Sequence, residues 1–401
     1  MTPRHAGGGT GPGALVRLAA AVAALLAAST VVSPVASGAS TGGPSIPLAT
    51  AAADSTGAQW AIVAMGHLSD PANTFWQLLY RASGGRWELR TPPGVADNGG
   101  LVAAPGAVPG TLTSGFVPTA ELTFSPLAST ADAGATWSTG SVLPFGLEDV
   151  PDALSGPSPS SLWALVTGGR STAPLPAGGA VVSGGTVSGR WRAIVTRTSL
   201  ARSAAGRRCG LQALTAVALT GPSAGVLGAA CTATGIVGLF SVGQGRWRLV
   251  GPRLRAGAVT VLRLVVVGTA ADVLLAVRLR GSTRLVAAWG HTTGGPWRLS
   301  PELAAPASGA LCSSSTTAAG GFVVLVRTST GCRTLVANPA TASWRQLPDP
   351  PALTAVVVAG PGTLDALTVR STVFSDFRLT SGGTWRLAQT INVPIQFGSS
   401  S

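Results

Sequence analysis

The chain contains no lysine; all 27 of its basic residues are arginine. It has one tyrosine, three histidines, two methionines and 14 acidic residues in 401, so only 10% of it is charged. Side chains able to move protons at neutral pH are therefore sparse, which weighs against catalysis and towards binding or scaffolding. The missing lysine, together with enrichment in Ala, Gly, Pro and Val, reads as the codon bias of a GC-rich bacterial genome. On that reading the net charge of +13 gives only weak attraction to anionic cell-wall polymers or phospholipid headgroups. Nucleic acid is not an expected partner, because the arginines are scattered along the sequence. Cysteine is scarce too: there are four, with no CxxC pair, and beyond His5 the only histidines are His67 and His291, so neither a metal nor a cofactor is expected.

No apolar run approaches the ~20 residues needed to span a bilayer. The longest candidate, Leu18 to Val32, follows Arg4 and Arg17 and is ended by Pro34. Small residues come next, with Ser37 and Ala39 at the −3 and −1 positions of a signal peptidase site. Residues 1–39 are thus expected to be a signal peptide helix, with an uncleaved membrane anchor as the competing reading. Residues 40–56 then form a flexible linker and 57–401 the folded body, which is secreted or held at the cell surface.

What the chain has in place of charge is glycine, 54 of them, and a recurring tryptophan. Trp87, Trp137, Trp191, Trp247, Trp297, Trp344 and Trp385 follow one another at intervals of 41 to 56 residues. All but Trp344 are preceded by a glycine two or three residues earlier. The interval matches a four-stranded blade, so the fold class is all-β, a seven-bladed β-propeller of antiparallel sheets. Glycine supplies the positive φ of a hairpin, and the tryptophan opens the next strand with its ring between blades. Arg192, Arg248, Arg298, Arg345 and Arg386 directly follow their tryptophans and so face the opposite way, into solvent. Upstream lie short apolar runs that fit strands buried on both faces: WAIVA at Trp60, WALVT at Trp163, VLLAV at Val273 and FVVLV at Phe322. The first blade looks one strand short, and the tail Ile391 to Phe397 is expected to supply that strand and close the ring.

One turn is more specific. Thr130, Asp132, Gly134, Thr136 and Trp137 fit the pattern Ser/Thr-x-Asp-x-Gly-x-Thr-Trp at every defined position. The chain thereby resembles the BNR or Asp-box propellers of the sialidase-like superfamily, and more loosely the WD40/YVTN/BNR-like repeat proteins secreted by bacteria. In that motif the carboxylate and hydroxyl cap the turn's backbone, so it is a folding device. The resemblance also implies what a sialidase needs: three substrate-binding arginines, a late-blade tyrosine nucleophile paired with a glutamate, and an aspartate acid/base. Here the single tyrosine is Tyr80, in the first blade, and the Arg-Ile-Pro motif is missing, so sialidase chemistry is not expected. Another hydrolytic pair remains open among Asp97, Glu121, Glu148, Asp149, Asp152, Asp272 and Asp365.

Cys209, Cys231, Cys312 and Cys332 lie 22 and 20 residues apart within separate blades. Export favours the disulfides Cys209–Cys231 and Cys312–Cys332, one of three possible connectivities. Gly221 to Gly225 matches G-x-S-x-G but lies between two strands, where a hairpin explains it better than a nucleophile elbow. His67 and Asp365 are the candidate binding residues. His67 follows an apolar strand. Asp365 lies inside one and needs either a buried partner or a place on the central channel. The sequence thus points to an exported module that binds a polysaccharide or protein, the alternative being a glycan hydrolase or lyase with a non-sialidase site.

Overall fold

A computed structural model describes residues 49–393, except 55, 67–73, 93–101, 106–109, 116–126, 140–150, 159, 168–178, 185–188, 222–223, 244–245, 306–310, 318–319, 330 and 352–355. Within it the chain forms antiparallel four-stranded meanders, one after another. The first sheet is β1 (Ala49–Ala53), β2 (Gln59–Gly66), β3 (Thr74–Arg81) and β4 (Trp87–Leu89). The second is β5 (Val102–Pro105), β6 (Leu112–Gly115), β7 (Leu127–Thr130) and β8 (Ser138–Thr139). The third is β9 (Ala153–Ser158), β10 (Ser161–Val166), β11 (Ala180–Gly184) and β12 (Trp191–Thr196).

Two short helices, α1 (Arg197–Arg202) and α2 (Ala204–Cys209), lead into a nine-stranded sheet. Its first meander is β13 (Leu211–Gly221), β14 (Ala224–Cys231), β15 (Gly238–Gly243) and β16 (Arg246–Leu249). Its second is β17 (Ala258–Val267), β18 (Ala270–Leu279), β19 (Ser282–His291) and β20 (Arg298–Leu299), with β21 (Leu303–Ala305) beside β19. Two residue pairs between β14 and β17 fuse these meanders, called below the fourth and fifth sheets. The sixth sheet is β22 (Leu311–Thr316), β23 (Phe322–Arg327), β24 (Cys332–Asn338) and β25 (Ser343–Gln346). The last is β26 (Val356–Gly360), β27 (Thr363–Arg370), β28 (Val373–Leu379) and β29 (Trp385–Asn392).

The first strands of the meanders meet one another: β1 lies against β5 and β26, β5 against β9, β9 against β13, β13 against β17, and β22 against β26. The first and last sheets pack together through Ala61, Val63, Met65 and Leu79 against Val356, Val358, Leu367 and Phe374. The first and last sheets are thus joined by packing, without a shared hydrogen-bond ladder among the described residues.

The apolar runs at Trp60, Trp163, Val273 and Phe322 all fall on second strands, β2, β10, β18 and β23. These are flanked on both sides, and β2 is buried along its whole length. Every repeating tryptophan is the first or second residue of a fourth strand or directly precedes one. Cross-strand glycine makes room for the ring: a Cβ at Gly184 would lie 2.6 Å from the Trp191 ring, and one at Gly290 2.3 Å from that of Trp297. The indoles of Trp297, Trp344 and Trp385 donate to the carbonyls of Val250, Pro301 and Pro348, each just past the fourth strand of the preceding sheet. The arginines that follow the tryptophans are exposed.

Three expectations change. The first sheet is completed by β1, which lies inside the stretch expected to be linker. The end of the chain instead runs through β29, whose Ile391 and Asn392 pair with β28 in the last sheet. β1 is Ala-Thr-Ala-Ala-Ala, a text of low strand propensity, but small side chains suit the place where first strands converge. The third change is the pair of helices. Thr196 and Ser199 form a capping box, Ser203 caps α2, and Gly210 ends it at φ 62°. The expected signal segment and the tail beyond Val393 lie outside the described residues. No helix among the described residues is long and apolar enough to cross a membrane.

Candidate functional site

The strongest concentration of buried polar chemistry lies where the first sheet meets the last. Gln59 on β2, Arg81 on β3, and Asp365 and Asp376 on β27 and β28 are all at most 3% exposed. Arg81 ends a strand whose inward residues are apolar, so its guanidinium is carried into the inter-sheet space. There its Nη1 donates to Asp376 Oδ2 at 2.8 Å and to Asp365 Oδ1 at 3.3 Å. Its Nη2 donates to Asp365 Oδ2 and to Gln59 Oε1. Arg378, half-exposed on β28, closes the outer side by donating Nε to Asp365 Oδ1 at 2.9 Å.

Trp87 completes the group. Its indole donates to Asp376 Oδ2 at 3.1 Å, and the Arg81 guanidinium carbon lies 4.9 Å from its ring centre. Gln389 on β29 accepts from the Trp87 backbone N–H and donates to its carbonyl, pairing like a missing strand neighbour. Gly360 leaves room for Gln59: a Cβ there would lie 2.9 Å from the amide nitrogen.

Burial, and after it the like charge of Asp365, raises Asp376 to about 6, against the pull of Arg81 and the Trp87 hydrogen bond. Arg378 is raised, chiefly by its hydrogen bond to Asp365. The two carboxylates form a close pair, yet both are turned onto one guanidinium and closed from solvent. Such a group can latch two sheets together, but it cannot receive a substrate.

Asp365 therefore takes the partnered arrangement; Arg378 comes from the next strand, but Arg81 and Gln59 come from the first sheet, about 300 residues away. The sequence reading missed Arg81, Gln59 and Asp376. The available signal was charge within apolar strands, as in Phe374-Ser-Asp376-Phe377. His67, Asp97, Glu121, Glu148 and Asp149 lie outside the described residues. Asp152, just before β9, bonds across to the residue after β10, accepting from the Thr167 N–H and hydroxyl at 2.8 and 2.7 Å.

Asp272 stands apart from the other acids. It faces the sixth sheet beside Gly320, where a Cβ would lie 2.8 Å from Oδ2, and burial raises it to about 7. On the same interface Arg263 of β17 is 1% exposed, and burial lowers it to about 10. Arg263 donates to the carbonyl and hydroxyl of Ser314 on β22, while its Nε and Nη2 have no partner among the described residues.

The turn at Thr130 is held by its own side chains. Thr130 Oγ1 accepts from the Gly134 N–H at 3.0 Å, and Asp132 accepts from the Thr136 N–H at 2.9 Å and from its hydroxyl. These bonds, the Thr136 hydroxyl foremost, hold Asp132 down at about 2. Gly221 and Ala224 pair across a two-residue hairpin. The disulfides are Cys209–Cys231 and Cys312–Cys332; the first ties α2 to β14 and the second ties β22 to β24. No group of three or more His, Cys, Asp or Glu among the described residues could hold a metal ion.

No family profile and no curated protein matches the chain. Solved structures do. A structure from a study of two prolyl endopeptidases aligns with a TM-score of 0.51 and 13% identity, over 93% of this chain and 51% of that one. Puromycin hydrolase aligns at 0.50 and 13%, over 89% and 55%. A putative 6-phosphogluconolactonase from Bacteroides uniformis aligns at 0.50 and 12%, over 83% and 96%. The chain spans about half the length of the first two. At such identities the likeness concerns the fold alone, a β-propeller-type arrangement of antiparallel sheets.

Proposed function

We propose that the chain is an exported, seven-bladed Asp-box-type β-propeller that acts as a binding or scaffold module, in the cell exterior or at its surface, for a polysaccharide or protein partner. One observation carries this choice over a glycan hydrolase or lyase of the sialidase-like superfamily. The carboxylate pair that includes the candidate Asp365, Asp365 with Asp376, is buried against Arg81, whereas glycoside hydrolysis needs two acids that flank a bound substrate. Supporting the architecture are the fourth-strand position of all seven tryptophans, the packing of the first sheet on the last, and the Asp-box-like turn at Thr130. Two disulfides and the N-terminal signal-like text fit export to an oxidising compartment. Loops at one end of such a ring are where a ligand would be held.

The test is a glycan array and a cell-wall pull-down with the purified protein at low and high salt, beside an unrelated basic protein. Salt-resistant capture of one glycan or one protein supports the reading. Turnover of a captured glycan, lost on changing an acid outside the latch, would replace it with the enzyme.

A further inference from the structure

The arginines are scattered along the sequence, but the acids are not. Between Asp152 and Asp272 there are twelve arginines and no Asp or Glu. This stretch folds into the third and fourth sheets, the two helices between them and the first strand of the fifth, where Arg263 is buried. α1 lies against β12 and β13, and α2 against β13 and β16, so the helices bridge from the edge strand of the third sheet to that of the fourth. Arg192 on β12, Arg202 on α1, Arg207 and Arg208 on α2, and Arg246 and Arg248 on β16 are all exposed. None of these six forms an ion pair with a described residue. Cys209–Cys231 fixes the helical part of the face to β14.

The two edge strands share a feature that no other repeat has: arginine on both sides of the marker tryptophan, as Arg190-Trp191-Arg192 and Arg246-Trp247-Arg248. Alternation along a strand sets Arg246 and Arg248 on one face about 7 Å apart. The tryptophan between each pair turns the other way, Trp191 and Trp247 packing on the apolar core, so each ring anchors the strand that carries the arginines.

We propose that this face docks on the headgroups of an anionic phospholipid bilayer. Guanidinium forks bind phosphate oxygens two at a time, and the six arginines have no acid among the described residues beside them to compete for those forks. The layout selects the bilayer over a linear polyanion. The arginines lie along edges of two different sheets and on helices between them, so a two-dimensional array of phosphates meets all of them while a single strand follows one row. The large exposed hydrophobics of the described residues, Leu89 and Leu387, lie on the first and last sheets, so docking here is electrostatic without insertion. The choice of a cell-surface partner rests on the proposed export, but the face is separate from the ring-end loops.

The experiment is co-sedimentation of the full chain with phosphatidylglycerol–phosphatidylcholine vesicles and with pure phosphatidylcholine vesicles. It compares wild type with Arg202→Gln/Arg207→Gln/Arg208→Gln and with Arg333→Gln/Arg345→Gln/Arg386→Gln, a control with the same charge change on exposed sites of other sheets. Wild type should bind only the anionic vesicles, and binding should collapse between roughly 0.1 M and 1 M salt. The helix variant should partition on the order of 100-fold less, taking each arginine at about fivefold, while the control changes little. Thermal melting confirms that both variants fold.

Equal loss in the two variants would overturn the proposal in favour of net charge. Equal binding to neutral vesicles would assign it to the apolar run at 18–32. Capture of soluble polyphosphate without vesicle binding would overturn the choice of lipid. If vesicle binding fails while a glycan or protein is still captured, the face is wrong and the binding-module reading stands. The reverse result separates them the other way.

Discussion

Two inter-sheet interfaces each bury an arginine, with opposite provisions for it. Where the first sheet meets the last, Arg81 is held by two aspartates and a glutamine. Where the fifth meets the sixth, Arg263 has only Ser314, and the acid on the same interface, Asp272, forms no ion pair with it. The ingredients match; their placement does not. The fifth and sixth sheets are consecutive in the chain, so a short connection brings them together and apolar packing of Leu274 and Leu285 on Phe322 and Val324 suffices. The first and last sheets are some 300 residues apart and have no such tether. Directional bonds there name the partner and the register. A buried ion pair is weak support for stability but is used elsewhere to specify a unique pairing, and this latch fits that use.

The largest effect expected from breaking the contrast is at Arg81. Arg81→Met leaves two carboxylates buried without their cation and should cost about 3–5 kcal/mol in chemical denaturation. The triple variant Arg81→Met/Asp365→Leu/Asp376→Leu should recover most of that loss. If the latch confers specificity, the triple variant should also show dimers or open forms by size-exclusion chromatography.

Arg263→Met should have the opposite sign, leaving stability unchanged or raising it by about 1–3 kcal/mol, because no carboxylate is orphaned. A loss as large as that of Arg81→Met would abolish the distinction between the interfaces.

Asp272 sharpens the comparison through pH. Its folded-state value, about 7, lies above the ordinary 3.8, so the folded protein holds a proton that the unfolded chain releases. Stability is then greatest near pH 4 and declines as pH rises towards 7, with Asp376 adding the same sign up to about 6. Asp272→Asn should flatten this decline and be the more stable protein at pH 8, by on the order of 1–3 kcal/mol. A wild-type stability that rises steadily from pH 4 to 7 would contradict this assignment.

The smallest contrast compares two tryptophans of the same repeat. Trp297→Phe loses a hydrogen bond to the Val250 carbonyl and should cost about 1 kcal/mol. Trp87→Phe takes a donor from a buried carboxylate and should cost roughly twice as much. Equal losses would show that the latch does not depend on its indole.

The sequence was most legible where one requirement recurs. A glycine-tryptophan turn every blade length, and doubly buried runs such as Trp60 to Ala64, locate fourth and second strands because geometry repeats while the rest of the text drifts. It was least legible at β1, whose alanines signal nothing locally, and at α1 and α2, short helices that interrupt a β pattern. Asp365 was legible as a problem, since a carboxylate inside an apolar strand requires a partner, but not as a solution.

By itself, then, the sequence determined an all-β chain of repeated meanders, the positions of its tryptophans and a plausible pairing of its cysteines, because each rests on spacing or local turn chemistry. Only the tertiary structure decided which acid meets which arginine, which strand completes the first sheet, and that the helices carrying Arg202, Arg207 and Arg208 pack against the edge strands that carry Arg192 and Arg248. Those depend on where distant segments come to lie, and long-range contacts leave no mark at any single position.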